Sequence, residues 1–137
     1  MTRVKETIVR HDKGYNCAQA VACTYADLVG LDEATMFRVT EGLGKGMGGT
    51  MATCGALSGA CVLAGMKRST GRLDAPDSKL ETYKLSEEIV NKFKEQCHSL
   101  VCRELKGLDT GKALTPCPDC IMNAARIAEE VLELRNH

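Results

Sequence analysis

Apolar residues recur at three- and four-residue spacing along most of the chain, and no run keeps up strict alternation. This pattern predicts an all-α protein, a compact multi-helix bundle of about five to seven helices of ordinary length. Residues 3–12 form an amphipathic helix through Val4, Ile8 and Val9, broken by Gly14. Asn16, with Gln19 three positions on, makes a capping box for a helix from Cys17 to about Leu28. That helix buries Ala18, Val21, Ala22, Tyr25 and Leu28, and Gly30 ends it. Asp32 caps a short helix through Met36 and Phe37. A glycine-rich loop, GLGKGMGG at 42–49, precedes a buried central helix capped by Thr50 or Thr53 and stopped by Gly65. Asp74 caps the next helix, with Pro76 in its first turn and Leu80, Tyr83, Ile89, Val90, Phe93 and Cys97 facing inward. Ser99 opens a short helix through Cys102, Leu105 and Lys106. Thr115 caps the last helix, with Pro116 at its first position and Ile121, Ala124, Ala125, Ala128, Val131 and Leu132 on its inner face.

The uncharged stretch 46–66 has the length of a membrane span, and Gly55 and Gly59 imitate a membrane dimer motif. Three glycines at its start and Thr50, Thr53 and Ser58 dilute it too far for insertion, so no membrane span is expected. The small residues fit a helix buried at the centre of the bundle, and they equally suit a close homodimer contact. The 137 residues fit one domain, 1–137. Eighteen basic residues balance eighteen acidic ones, which argues against a nucleic-acid binder working by bulk charge. Lys67, Arg68 and Arg72 read as a solvated loop.

Eight cysteines are the compositional outlier, too few for a secreted disulfide scaffold. The opening residues Met1-Thr2-Arg3-Val4-Lys5-Glu6 are charged, with no apolar run behind them, so the expectation is a cytoplasmic protein. In that reducing compartment many cysteines point to metal, cluster or redox chemistry before structural bridges.

Four of them share a position on this map. Cys17, Cys54, Cys102 and Cys117 each fall at a predicted helix start. Helix N-termini carry unpaired N–H groups and partial positive charge, which stabilise a thiolate and lower its pKa. Cys23, Cys61 and Cys97 read as small buried hydrophobes. Cys120 is intermediate, because Cys117-Pro118-Asp119-Cys120 is a C-x-x-C at a helix start, a spacing used by redox pairs and metal knuckles. No βαβ pattern surrounds it, and Ile121 stands where a c-type haem motif needs His. Of the three histidines, His98 beside Cys97 reads as a solvated or capping imidazole. Gly44, Gly46 and Gly49 match a dinucleotide fingerprint only formally, lacking the strand before and the acidic residue after. Close backbone approach to a buried site explains the glycines better.

The strings Gly14-Tyr15-Asn16-Cys17-Ala18-Gln19-Ala20-Val21, Gly46-Met47-Gly48-Gly49, Cys54-Gly55-Ala56-Leu57-Ser58-Gly59-Ala60, Cys102-Arg103-Glu104-Leu105, and Cys117 before Ile121 and Ala124-Ala125 together resemble a known family. It is the family of small redox-active proteins named for a C, GCAxxG, C, C cysteine signature. The resemblance implies four functional cysteines, Cys17, Cys54, Cys102 and Cys117, with Cys120 one turn from the last. A related domain in split-Soret cytochromes carries haem and an iron–sulfur centre. This chain has no haem-attachment motif, so the iron–sulfur centre alone carries over.

Three functions follow as expectations. The first is electron transfer by an iron–sulfur cluster, [2Fe–2S], on Cys17, Cys54, Cys102 and Cys117, working with a redox partner protein. The second is cofactor-free thiol–disulfide exchange, with Cys117 and Cys120, or Cys54 and Cys17, as attacking and resolving thiols. The third is a zinc-stapled structural module on the same four thiols.

Overall fold

A computed structural model describes residues 2–134, so Met1 and His137 lie outside it. Among the described residues there are seven helices of five or more residues and no strand. They are α1 (Val4–Asp12), α2 (Cys17–Thr24), α3 (Glu33–Thr40), α4 (Gly55–Arg68), α5 (Lys79–Cys97), α6 (Cys102–Lys106) and α7 (Cys117–Val131). The chain is all-α, as its periodicity predicts. No described helix is long and apolar enough to cross a membrane. The uncharged stretch is divided, its first part irregular and only its second part helical.

α4 is the centre of the bundle, packed by α2, α5 and α7. The α2–α4 pairing is the most extensive. Small side chains make this closeness possible: all of α2 is buried, three of its residues are alanine, and Gly59 of α4 lies against the Ala18 backbone. Gly55 likewise faces Cys17 and the backbone at Leu43 and Gly44, so both glycines of the GxxxG pattern serve packing within the chain. Tyr25, Met36, Leu57, Leu63, Ile89, Phe93, Ile121 and Ile127 fill the remaining core. The chain's start is tied to α7 by Glu129, whose carboxylate accepts from the Tyr25 hydroxyl, the Thr2 hydroxyl and the Arg3 N–H.

Several boundaries differ from the sequence expectation. α2 ends at Thr24 and passes into a 3-10 turn, Ala26–Val29, closed by left-handed Gly30. Cys54 itself, not Thr50 or Thr53, is the residue before α4. That helix runs through Gly65 to Arg68, because Gly65 keeps right-handed backbone and Lys67 and Arg68 complement the helix C-terminus. α5 begins after Ser78 rather than Asp74, because the loop before it is held by its own side chains. Thr70 and Arg72 donate to Asp77, and the Thr70 N–H donates to Ser78 Oγ. Leu80 and Tyr83 consequently sit in exposed first turns, and Val9 of α1 is exposed too. Thr115 does not cap α7: its hydroxyl donates to the Cys97 carbonyl, and Pro116 stands immediately before the helix.

Candidate functional site

The site is built where four helices begin. Asn16 and Gln19 cap α2 reciprocally, the Gln19 N–H donating to Asn16 Oδ1 and the Asn16 N–H to Gln19 Oε1, both at 2.9 Å. Cys17 is therefore fixed as the first residue of α2. Cys54 precedes α4 and Cys102 opens α6. An isolated antiparallel bridge, Thr53 to Val101, clamps these two starts together. Within it the Cys54 N–H donates to Leu100 O at 2.7 Å and the Cys102 N–H to Ala52 O at 3.0 Å. Ser99 supports the same corner, its hydroxyl accepting from the Val101 N–H, so it shapes the turn and does not cap the helix. Cys117 opens α7.

The glycine-rich segment runs beneath these starts. Lys45, Gly46, Met47, Gly48 and Thr50 all have positive φ, so the short helical turn at Gly44–Met47 is not a regular helix. Gly46 has two reasons to be glycine. Its φ is +59°, and an added Cβ would lie 2.6 Å from Cys102 Cβ. A Cβ at Gly55 would overlap Cys17 Sγ and stand 3.0 Å from Leu43 O. Both glycines are cradles against cysteine side chains, and for Gly46 this is the close approach expected of the loop.

Together these elements enclose a cavity of about 180 Å³. Cys17, Cys54, Cys102, Cys117 and Cys120 all line it, with His11, Lys45 and Lys106 among its other walls. The five cysteines singled out from the sequence are thus brought to one pocket. His11, Lys45 and Lys106 were not foreseen, since nothing local in the sequence marks a residue that reaches a pocket formed by distant helices. His98 is exposed at the end of α5, in left-handed conformation.

Thiol contacts decide the electrostatics. The neighbouring Cys117 thiol, with N–H groups at Lys45 and Ala18, outweighs burial and holds Cys17 down at about 6. Cys117 is raised correspondingly, with burial adding to the effect. Cys120 contacts both Cys54 and Cys97, is raised by them, and lowers each. Cys97 is held at about 7, helped by the Asn123 amide, which donates to its sulfur at 3.4 Å. Cys102 is raised, chiefly by burial, with Lys106 and Lys45 opposing. Cys23 and Cys61 lie apart, raised by burial as buried hydrophobic thiols are, Cys23 to about 11.

Two relations among the sulfurs are not given by sequence spacing. The thiol contacts run crosswise to the expected exchange pairs, joining Cys17 to Cys117 and Cys54 to Cys120. The reason is that Cys120, one turn into α7, is drawn inward, where its thiol also meets Thr115 O at 3.6 Å. Cys97 is buried in the apolar stripe as expected, but its sulfur belongs to this cluster. Among the described residues no three His, Cys, Asp or Glu side chains form a ready-made set around a single ion.

The Cys17 environment predicts a pH profile. In reduced, metal-free protein, its alkylation by iodoacetamide should rise through about pH 6 and be level above about pH 7, because above its pKa the thiol is already ionised. Relative to an ordinary thiol the ionised fraction at pH 7 gains roughly 30-fold, and reduced nucleophilicity takes back roughly 10-fold, so the shape of the profile is the signature and not the speed. A Cys17 rate still climbing steeply between pH 7 and 9 would contradict this environment.

A glycine-cradled pocket gathering the starts Cys17, Cys54, Cys102 and Cys117 in this chain order is what a family comparison can decide. The family model described as "Putative redox-active protein (C_GCAxxG_C_C)" matches residues 15–131. The chain belongs to the C_GCAxxG_C_C family. No curated protein and no solved structure matches it. In this C_GCAxxG_C_C protein the matched span contains all eight cysteines and both glycines, Gly46 and Gly55, that pack against pocket cysteines.

Proposed function

We propose that this chain is an electron-transfer protein holding a [2Fe–2S] cluster on Cys17, Cys54, Cys102 and Cys117. One observation carries the reading: four helix-start cysteines line a single cavity of about 180 Å³. A two-iron cluster needs four thiolates in two pairs, not a set around one ion. The chain offers pairs, Cys17 with Cys117 as neighbouring thiols on the pocket wall and Cys54 with Cys102 through the Thr53–Val101 bridge. Such a cluster, when bound, supplies one-electron transfer. The protein's part is to bring four sulfur anions together and to offset their charge. Helix N-termini, Lys45 and Lys106 provide positive potential, and Gly46 and Gly55 leave room for the sulfurs.

The placing of Cys17 and Cys117 as neighbours on one pocket wall favours a second reading, cofactor-free thiol–disulfide exchange. There Cys17 attacks a substrate disulfide and Cys117 resolves the mixed disulfide by attacking Cys17 Sγ, releasing the substrate's second thiol. Anaerobic purification with iron and sulfide counts separates the two. Two irons and two inorganic sulfides per chain, with visible absorption, are expected from the first. A colourless, iron-free protein with a reversible Cys17–Cys117 disulfide would replace it with the second.

A further inference from the structure

Cys120 lines the pocket with Cys54 on one side, and on its other side Cys97 is held against α7 by Thr115 and Asn123, the residues five before and three after Cys120. It is buried, as is Cys97, which ends α5. The pair is held in place from several directions. The Thr115 hydroxyl donates to the Cys97 carbonyl at 2.9 Å, the Cys120 thiol meets the Thr115 carbonyl, and the Asn123 amide donates to Cys97 Sγ. Neither Cys97 nor Cys120 is needed for a four-thiol centre. Three thiols in a row, the first lining an open pocket and the last fully buried, form a path along which a disulfide can move.

We infer that Cys54, Cys120 and Cys97 form an internal disulfide relay that accepts oxidation from small-molecule disulfides and stores it in a buried Cys97–Cys120 bond. The first step joins the Cys54 thiolate to one sulfur of the small disulfide and expels the other half as a thiolate. Cys120 then attacks Cys54 Sγ, forming Cys54–Cys120 and releasing the second small thiol. Finally Cys97 attacks Cys120 Sγ, forming Cys97–Cys120 and returning Cys54 as a thiol, the Cys97 proton passing to it. In total one small disulfide is reduced to two thiols while two protein thiols become one disulfide. The consequence is that a pocket cysteine is cleared of oxidation and left free for its own role. The relay rests on the pocket being open to small disulfides, and it runs in cluster-free protein, where Cys54 is a free thiol under either redox reading.

The test uses the full-length reduced, metal-free protein treated with glutathione disulfide, quenched with acid, alkylated and mapped by fragmentation mass spectrometry. Wild type should end with Cys97–Cys120 as its main bond and Cys54 alkylated. Cys97→Ser should stop at Cys54–Cys120, and Cys120→Ser should retain glutathione on Cys54 with both protein disulfides lost. Circular dichroism checks that each variant is folded, and the wild-type map alone decides if one is not. A wild-type protein whose oxidation ends at Cys54–Cys120 or Cys17–Cys117, with Cys97 still a thiol, overturns the relay. Iron content of the same variants reads the cluster proposal separately, since Cys97→Ser should lose the bond and keep the iron.

Discussion

Serine at Cys17, Cys54, Cys102 or Cys117 is expected to abolish bound iron and visible absorption in anaerobically prepared protein, while serine at Cys23, Cys61, Cys97 or Cys120 leaves both. The division follows from position. The first four stand at helix starts and line the pocket, whereas Cys23 and Cys61 are separate, and Cys97 lies behind Cys120. A serine hydroxyl is a far weaker ligand for iron than a thiolate, because cluster iron prefers soft sulfur donors. Cys120 is the sharpest case, since it also lines the pocket. Its sulfur is engaged by Cys54, Cys97 and Thr115, so it is not placed to replace Cys117. Each buried serine also costs up to about 3 kcal/mol where its hydroxyl lacks a partner, so folding must be read alongside iron. Iron retained in Cys117→Ser but lost in Cys120→Ser would make Cys120 the fourth ligand. Equal loss in all eight variants would remove the division altogether.

The residues that gave a correct local reading did so because their partners lie within one turn. Asn16 and Gln19 cap each other, Asp32 accepts the Thr35 N–H, and Gly30 and Gly107 close their turns in left-handed conformation. The misread ends were those where a residue suited to capping was used by a distant one. Thr115 reaches Cys97, eighteen residues away, and Ser99 shapes a turn at a bridge whose other half is Thr53. Gly65 was read as a stop from its composition alone, but a glycine in a packed helix weakens it without ending it.

The same distinction governs the pocket. Helix starts are local, so four cysteines could be assigned a common electrostatic setting before any fold was known. Which sulfurs touch is a matter of how α2, α4, α5 and α7 are arranged, and the helical period is blind to it. Cys97 had the spacing of a core residue and is one, fully buried beside Phe93 on the same helix. Its contact with Cys120 arises because the end of α5 meets the start of α7. The glycine loop was legible as a close approach, but the partner of Gly46, Cys102, follows only from the tertiary structure, as does Cys17 for Gly55 at the start of α4.

Gly59 and Gly65 lie on the same helix, and alanine should have opposite effects at the two. At Gly59 an added Cβ would sit 2.6 Å from Ala18 O and 3.2 Å from Ala18 Cα. These are backbone atoms of a buried helix, with no rotamer that could relieve the overlap. α2 must therefore move away from α4 along their most extensive contact. Overpacking of this kind costs about 1–3 kcal/mol, and because the obstruction is backbone the upper end applies, about 3 kcal/mol before the small helix-propensity gain. At Gly65 no atom lies within 4 Å of the new Cβ and the backbone is right-handed, so alanine gains up to about 1 kcal/mol. Urea unfolding of both variants reads the difference through the midpoint at constant slope. The Gly59 variant should also bind less iron, because Ala18 follows Cys17 directly and a displaced α2 carries that sulfur out of the pocket. A Gly59→Ala protein as stable as wild type would mean that α2 and α4 are not held in this contact, and the four helix starts would lose the frame that gathers them.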